Sequence, residues 1–567
     1  MASKVHLPVP AAVLKADAIA KTLALGRSHH NQGHLKLAEG CYRQVLAMDS
    51  NNADGLHLLG VVAFQSDAVE QGIRLIKRAA RKSPRDPAIF VNLGAAYRKA
   101  KRNIEAREAY ETALKLKPDL WEAHFNLGKA LVDLGDFDGA IAAYNHCIVL
   151  KPTSAEVYVN LGNVYKFKDD GDNAIAAYER ALALDPKMSQ AYGNIAAVFV
   201  DRGRHAEALA LMDKAIAIDP QPGELRFKRS LIALRLANFA VGWADYDSRF
   251  FAETEKISRF SAPPPYWTGE DLTEKTILLW TEQGLGDEIL YAGMIGEVAA
   301  RARRCIVECS PRLVPVFARS FPQAIVKRYL GQGERATPPA DFDVQISITS
   351  LGKYFRPSLK DFPRHQGYLK GDPMRTAALR ARYRAIAPGN LVVGLSWRSK
   401  SDRLGVHKSA DLATWADVLR VPGVTFVNLQ YGDCAAELAT VKQALGVDIV
   451  QDPEINPLGS MDEFFAQVAA MDLVITTSNT TVHVAGSLNI PTSLLLPSGM
   501  ASLWYWFLNS ADSPWYPSIN IFCCPLQVGN VNEPNARPWW ADGIMRIGEM
   551  LASKSQERLA ASVAQSA

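Results

Sequence analysis

The residues best suited to acid–base chemistry lie in the run Thr276-Ile-Leu-Leu-Trp280-Thr281-Glu282-Gln283-Gly284-Leu285-Gly286-Asp287-Glu288. An apolar stretch ending at Trp280 reads as a buried strand. The two glycines read as a tight turn, and the acidic pair opens a helical pattern continuing to about Arg301. Ligands of open α/β sheets bind beyond the carboxyl ends of the strands, which is where this turn falls. Gly284 and Gly286 lack a Cβ, so backbone and ligand can approach closely there. Asp287 is then a candidate general base. The alternative is that Asp287 only caps the helix.

Three later strand ends carry polar groups. Ser396-Trp397-Arg398 leads into a basic loop in which Arg398, Lys400, Arg403 and Lys408 cluster. Guanidinium and ammonium groups so placed suit a diphosphate, and solvated surface charge is the alternative. Phe426 to Asp433 is a strand leaving at Gly432, with Gln430 and Tyr431 as a nucleoside wall. Asp472 to Gly486 reads as strand, polar turn and helix. There Ser478, Asn479, Thr480 and Thr481 add donors to the free amides of a helix start, an anion site. His483, one turn in, faces the cleft or is a core histidine with its bonds satisfied. Trp504 or Trp506 could stack on a sugar or base. Cys305 and Cys309 have no histidine partners and read as core. Asp341 and Asp343 open a strand and read as structural.

The elements that must position these groups fall into two halves. Pro84, Pro118, Pro152, Pro186 and Pro220 recur at 34-residue steps, with small residues at Ala79, Ala113, Cys147, Ala181 and Ala215 in the same register. This resembles the tetratricopeptide (TPR) pattern of two helices that cross closely at small residues, the second ended by proline. A helical solenoid with a concave groove follows. Asn92, Asn126, Asn160 and Asn194 hold one position on the first helix of four successive repeats. A side-chain amide both donates and accepts, so such a ladder would grip an extended peptide; bonding between neighbouring helices is the alternative. Beyond the repeats, Pro263-Pro264-Pro265 marks a stiff linker. From Lys275 strand and helix patterns alternate in two series, which indicates two α/β lobes with a ligand cleft between them. The strands expected are Ile277–Trp280, Cys305–Glu308, Ala324–Arg328 and Val344–Ile348 in the first lobe. In the second they are Leu391–Trp397, Thr425–Leu429, Asp448–Gln451, Leu473–Thr476 and Thr492–Leu496.

The expected boundaries are an extension at 1–18, an array of about seven repeats at 19–252 and a linker at 253–274. The first lobe then takes 275–385, the second 386–552 and a fraying tail 553–567. A chain of 567 residues needs several cores. A formal net charge of +4 gives no argument for nucleic acid or an anionic membrane. The first residues lack a signal-peptide core, no apolar run is long enough for a bilayer, and seven scattered cysteines suit the cytoplasm.

Thr281-to-Asp287, Gly394-Leu-Ser-Trp397, Asp472-Leu-Val-Ile475, His483-Val-Ala-Gly486 and Ser513-Pro-Trp-Tyr-Pro517 resemble bacterial TPR proteins with a heptosyltransferase-like domain. The resemblance covers nearly the whole chain. It implies an α-helical TPR solenoid followed by a two-lobed α/β GT-B fold of two Rossmann-like domains. It also implies sugar transfer from a nucleotide-sugar co-substrate, with no metal or other cofactor. Flagellin-modifying members are the nearest functional analogy, with a protein acceptor held by the asparagine ladder. In that reading Asp287 deprotonates the acceptor hydroxyl and Lys408 contacts phosphate. Ser478 to Thr481 and His483 form the donor turn, joined by Gly286, Ser396, Arg398, Gln430 and Tyr431. Two departures stand out: Ser478-Asn479 where the family often has Asp-Thr, and Leu503-Trp504-Tyr505-Trp506 where it often has Asp-Trp-Arg-Trp. They suggest a different donor, such as an acidic sugar, or weakened activity. A glycolipid-directed enzyme and a non-catalytic adaptor are the competing expectations.

Overall fold

The computed structural model describes residues 11–221, 223–252, 264–330, 337–399, 405, 408–497, 502–508, 510–524 and 540–566. Lys400, Arg403 and the first half of the proline linker lie outside the described residues, as does the start of the expected extension. The chain divides into two compact units, Met1–Val198 and Phe199–Ala567.

The first unit is an all-helical array. Its pairs are α1 (Ala11–Asn31) with α2 (Leu35–Met48), α3 (Ala53–Gln65) with α4 (Val69–Lys82), and α5 (Pro87–Lys99) with α6 (Asn103–Leu116). Next come α7 (Trp121–Asp133) with α8 (Phe137–Leu150), α9 (Ala155–Phe167) with α10 (Gly171–Leu184), and most of α11 (Ser189–Asp201). Close crossing explains the glycines. A Cβ at Gly94, Gly128 or Gly162 would sit 2.5–2.6 Å from the ring of Tyr110, Tyr144 or Tyr178, each essentially fully buried. The first helix begins at Ala11 rather than in the region of Ile19. Val13 and Leu14 are exposed, so the opening turns contribute no buried period for the sequence to reveal.

The second unit contains α12 (His205–Ile218), α13 (Glu224–Arg235), α14 (Phe239–Tyr246) and a 3₁₀ turn at Asp247–Phe251. These helices continue the repeat order, so that fourteen α-helices precede the first strand among the described residues. The last pair nevertheless shares a core with the α/β region. Trp243 packs so tightly on Gly352 that a Cβ there would lie 2.2 Å from the indole, and its Nε1 donates to the Arg356 carbonyl at 2.8 Å. The division between the compact units lies earlier than residue 252, where burial joins the last pair to the sheets.

The α/β region has two wholly parallel sheets. The first holds β1 (Thr276–Trp280), β2 (Arg304–Cys309), β3 (Ala324–Arg328) and β4 (Val344–Ser347) in the order β3-β2-β1-β4. The second holds β5 (Leu391–Ser396), β6 (Val424–Asn428), β7 (Leu473–Thr477), β8 (Thr492–Pro497) and β9 (Ile519–Cys524) in the order β6-β5-β7-β8-β9. Every residue of β1, β7 and β8 is buried, as strands covered on both faces require. The order reverses between β1 and β4 and between β5 and β7, and crevices open at such switch points.

After β1 come α15 (Leu285–Tyr291), a 3₁₀ turn at Ala292–Met294 and α16 (Ile295–Ala299). The expected single helix is thus interrupted, although Met294, Ile295 and Val298 all face the core. Later helices are α17 (Val314–Ser320), α18 (Gly352–Phe355), α19 (Pro373–Ile386), α20 (Ala416–Leu419), α21 (Ala435–Leu445), α22 (Met461–Ala469), α23 (Thr480–Ser487) and α24 (Ala541–Ser566). Asp343 accepts from the Thr276 amide at 2.7 Å, the structural role expected of it. Two expectations need correcting. Asp448–Gln451 makes only one isolated bridge, Val450 to Val427, because its neighbours do not continue the ladder. The expected tail is helix: α24 buries Ile544, Ile547 and Leu551, and Ser555 donates to the Pro422 carbonyl at 2.6 Å. Among the described residues no helix is long and apolar enough to cross a membrane.

Candidate functional site

Gly284, not Asp287, is the N-cap of α15. Asp287 stands three residues further on, and its amide donates to the Gly284 carbonyl at 2.9 Å. The amides of this turn, including that of Gly284, favour its charged form, as the free amides of a helix start do for an acid. Asp287 is partly buried. Burial, and then the nearby charge of Glu282, push its carboxyl up to about 6, against the opposing pull of Lys408 and the turn amides. Glu288 beside it is buried, accepts from the Ser310 amide at 2.9 Å and is pushed up to about 7, chiefly by burial.

Glu282 is the anchor of this turn. Its Oε1 accepts from Arg249 Nε at 3.1 Å and Nη2 at 3.0 Å and from Thr349 Oγ1 at 2.5 Å, while Oε2 accepts from Ser347. Ser347 ends β4 and Thr349 follows it, so the two strand ends at the switch point are tied through one carboxylate. Tyr246 of α14 shares a hydrogen bond with Tyr291 of α15 at 3.0 Å between their hydroxyls. Sequence reasoning passed over Glu282, Arg249, Tyr246 and Tyr291. The signals were present, since Glu282 lies inside the motif and Arg249 is a cation set among aromatic residues.

From the loop after β5 comes Lys408, only 5% exposed, with its ammonium lowered to about 8 by burial and partly restored by Asp287. His483 of α23 is buried, and burial followed by the Lys408 charge lowers it to about 3, so it is neutral. Its Nδ1 meets the Tyr516 hydroxyl at 2.9 Å and its Nε2 the Tyr505 hydroxyl at 3.3 Å, and its ring stacks on Trp506. A Cβ on Gly286 would lie 3.0 Å from His483 Cδ2. The glycine thus admits the histidine ring, where ligand approach was expected. The structure therefore assembles Gly286, Asp287, Lys408 and His483 from distant parts of the sequence.

Other expected donor residues are spoken for. Ser396, Gln430, Asn479 and Thr481 are buried in a mutual network. Gln430 Oε1 accepts from the Trp397 and Arg398 amides at 2.9 and 3.0 Å. Asn479 caps α23 by accepting from the Thr481 amide at 2.9 Å, and it donates to Ser396 Oγ at 2.8 Å. These side chains staple the ends of β5, β6 and β7 to each other. Ser478 accepts from Trp506 Nε1 at 3.0 Å. Trp506 and Trp504 are both core, the latter edge-on to Trp243, which removes them as stacking platforms. Arg398 pairs with Glu437 at 3.0 Å and donates to the Asp433 carbonyl, so its guanidinium serves α21 instead of an open loop. Thr480 and Tyr431 remain half-buried. Among the described residues no cluster of histidine, cysteine and acidic side chains could hold a metal.

In the array, Asn92, Asn126, Asn160 and Asn194 are all half-buried, as one shared register position requires. Three have internal partners: Asn92 with His57 Nε2 at 2.8 Å, Asn160 with the Glu156 carbonyl at 2.8 Å, and Asn194 with Asn163 Oδ1 at 2.9 Å.

Comparison with known proteins agrees with this architecture. Models described as TPR repeat and tetratricopeptide repeat match residues 96–135 and 128–167, and 23–87 and 159–221, respectively. "Protein FlbA" of Caulobacter vibrioides is 36% identical over 311 residues, which is 53% of this chain and 51% of that protein. The chain thus spans about half the length of that relative. A continuous alignment over 53% of the chain has to include its middle, and so takes in β1 and the Asp287 turn. A peroxisomal targeting signal receptor of Candida glabrata is 28% identical over 114 residues, 20% of this chain and 19% of the receptor. Among solved structures, one titled "Crystal structure of MamA" is 26% identical, covering 29% of this chain and 95% of its own, with a TM-score of 0.27. The helical half of this protein is an array of tetratricopeptide repeats, and a region of parallel sheets follows it.

Proposed function

We propose that the protein is a glycosyltransferase that moves a sugar from a nucleotide-sugar to a serine or threonine of a protein bound by its repeat array. The observation carrying this reading is Asp287, a carboxyl raised to about 6 at a switch-point turn, within electrostatic reach of a buried lysine from the loop after β5. A base of that strength is largely ionised at neutral pH yet able to take a hydroxyl proton, while Lys408 suits the negative charge of a leaving diphosphate. The sugar's bond to the diphosphate breaks, its bond to the acceptor oxygen forms, and the proton passes to Asp287. The repeat array supports a protein acceptor, and flagellin is the candidate suggested by the resemblance, in the cytoplasm. Asp287→Asn should lower transfer to acceptor by roughly 10²–10⁴-fold, read by intact mass of the acceptor. Transfer at near wild-type rate would exclude the assignment.

One observation favours a second reading, a binding protein without catalysis. Ser396, Gln430 and Asn479 satisfy one another and leave the expected donor turn closed by its own side chains. A panel of nucleotide-sugars separates the two, because a specific donor raises the melting temperature by mass action whereas an adaptor shows no such shift.

A further inference from the structure

Arg249 is completely buried in the 3₁₀ turn that ends the last repeat. Burial works against its charge, and the neighbouring Glu282 and Asp247 more than restore it. Besides Glu282, its guanidinium donates to Asp247 at 2.7 Å, Thr349 Oγ1 at 2.6 Å, Ser350 Oγ at 2.8 Å and the Tyr246 carbonyl at 3.1 Å. Few side chains in the unit join so many segments. The partners come from the repeat end, from the turn after β1 and from the turn after β4. A buried pair of this kind is a weak source of stability, since desolvation offsets its attraction, but it fixes geometry.

What it fixes is the approach to Asp287. Glu282 lies in the same turn, is 5% exposed at its side chain, and is the charge that most opposes ionisation of Asp287. We propose that Arg249 is a positioning residue for Asp287: by clamping Glu282 it holds the Thr281–Gly286 turn in the shape that keeps the Asp287 carboxyl partly buried and within electrostatic reach of Lys408. The last repeat is then part of the reacting unit rather than of the recruiting array. This inference rests on the reading of Asp287 as the base, although its test does not require transferase activity.

The other groups around Asp287 are known. Glu288 and Tyr291 face it from its own helix, and Tyr246 from the last repeat. Lys408, Tyr505 and Tyr516 face it from the second lobe, with neutral His483 against the adjoining Gly286. The tyrosines are raised by burial and stay neutral, so Glu282, Lys408 and Glu288 set the local charge.

The experiment uses the full chain with Arg249→Lys, Arg249→Met and Glu282→Gln, each alone and combined with Asp287→Asn, and follows melting temperature from about pH 3.5 to 8. Because the folded carboxyl is raised, stability is lost as pH rises through about 6, and Asp287→Asn should abolish that loss. Its benefit therefore grows from about pH 4 and is complete above about pH 6 in the parent protein. Glu282→Gln should move the midpoint of that benefit down by about half a pH unit or more, since a like charge is removed. Arg249→Met should at least halve the benefit, and Arg249→Lys should keep most of it. The inference is overturned if Arg249→Met lowers the melting temperature equally with and without Asp287→Asn at every pH, or if Glu282→Gln leaves the midpoint unmoved. Should Arg249→Met not fold, the isosteric Glu282→Gln alone decides. Failure of the base assignment shows separately, as unimpaired transfer by Asp287→Asn.

Discussion

At the scale of single residues, Lys408 sits where a charge is costly, buried to within 5% of full cover. Its folded ammonium is lowered to about 8 from 10.5, so the folded state resists the proton that the unfolded chain holds. The resulting penalty is complete below pH 8 and disappears as pH rises towards 10.5. Lys408→Met should therefore stabilise the protein by about 1–3 kcal/mol at pH 7, with the gain vanishing near pH 10.5. At the same time the variant should lose transfer, since nothing would meet the leaving diphosphate. Denaturant titration at the two pH values, beside a transfer assay, checks both halves. Asp287 and Lys408 were readable as candidates because acid and base stood at strand ends. Ser396, Gln430 and Asn479 looked identical in that respect and proved to be structural. Position at a strand end says where a side chain starts, and only the packed neighbours decide whether its bonds remain available.

The elements were more legible than the site. A 34-residue period and buried apolar strands are signals of local composition, and most expected elements appear within a residue or two of their places. What went unread depends on distant packing: the short edge strand β9, the interruption after α15, and the helix that replaces the tail. The repeat crossings allow a direct check. Gly128→Ala puts a Cβ 2.5 Å from Tyr144 Cε1, a ring that is 1% exposed and has no room to retreat. It should destabilise the array by roughly 1–3 kcal/mol, measured by helix loss in urea. Substitution at Gly135, where no atom lies within 4 Å but φ is +78°, should act through backbone strain alone and cost about 1 kcal/mol.

For the molecule as a whole, the division at Val198/Phe199 makes a prediction about shortened chains. A protein beginning at Phe199 should fold and melt cooperatively, because Phe227, Leu234, Phe239, Trp243 and Tyr246 share one buried core with the sheets. One beginning at residue 253 would lose Trp243, Tyr246 and Arg249 and should be insoluble or molten, as judged by near-ultraviolet circular dichroism and dye binding. In the proposed reaction the Phe199 form should still bind donor but lose efficient transfer to its protein acceptor. The indole of Trp243 against Gly352 has a final implication for inheritance. A graft that exchanges one recruiting array for another has to join upstream of that indole. Natural recombinants that changed clientele while keeping their chemistry should carry their splice points among the earlier repeats, leaving the last one to travel with the sheets.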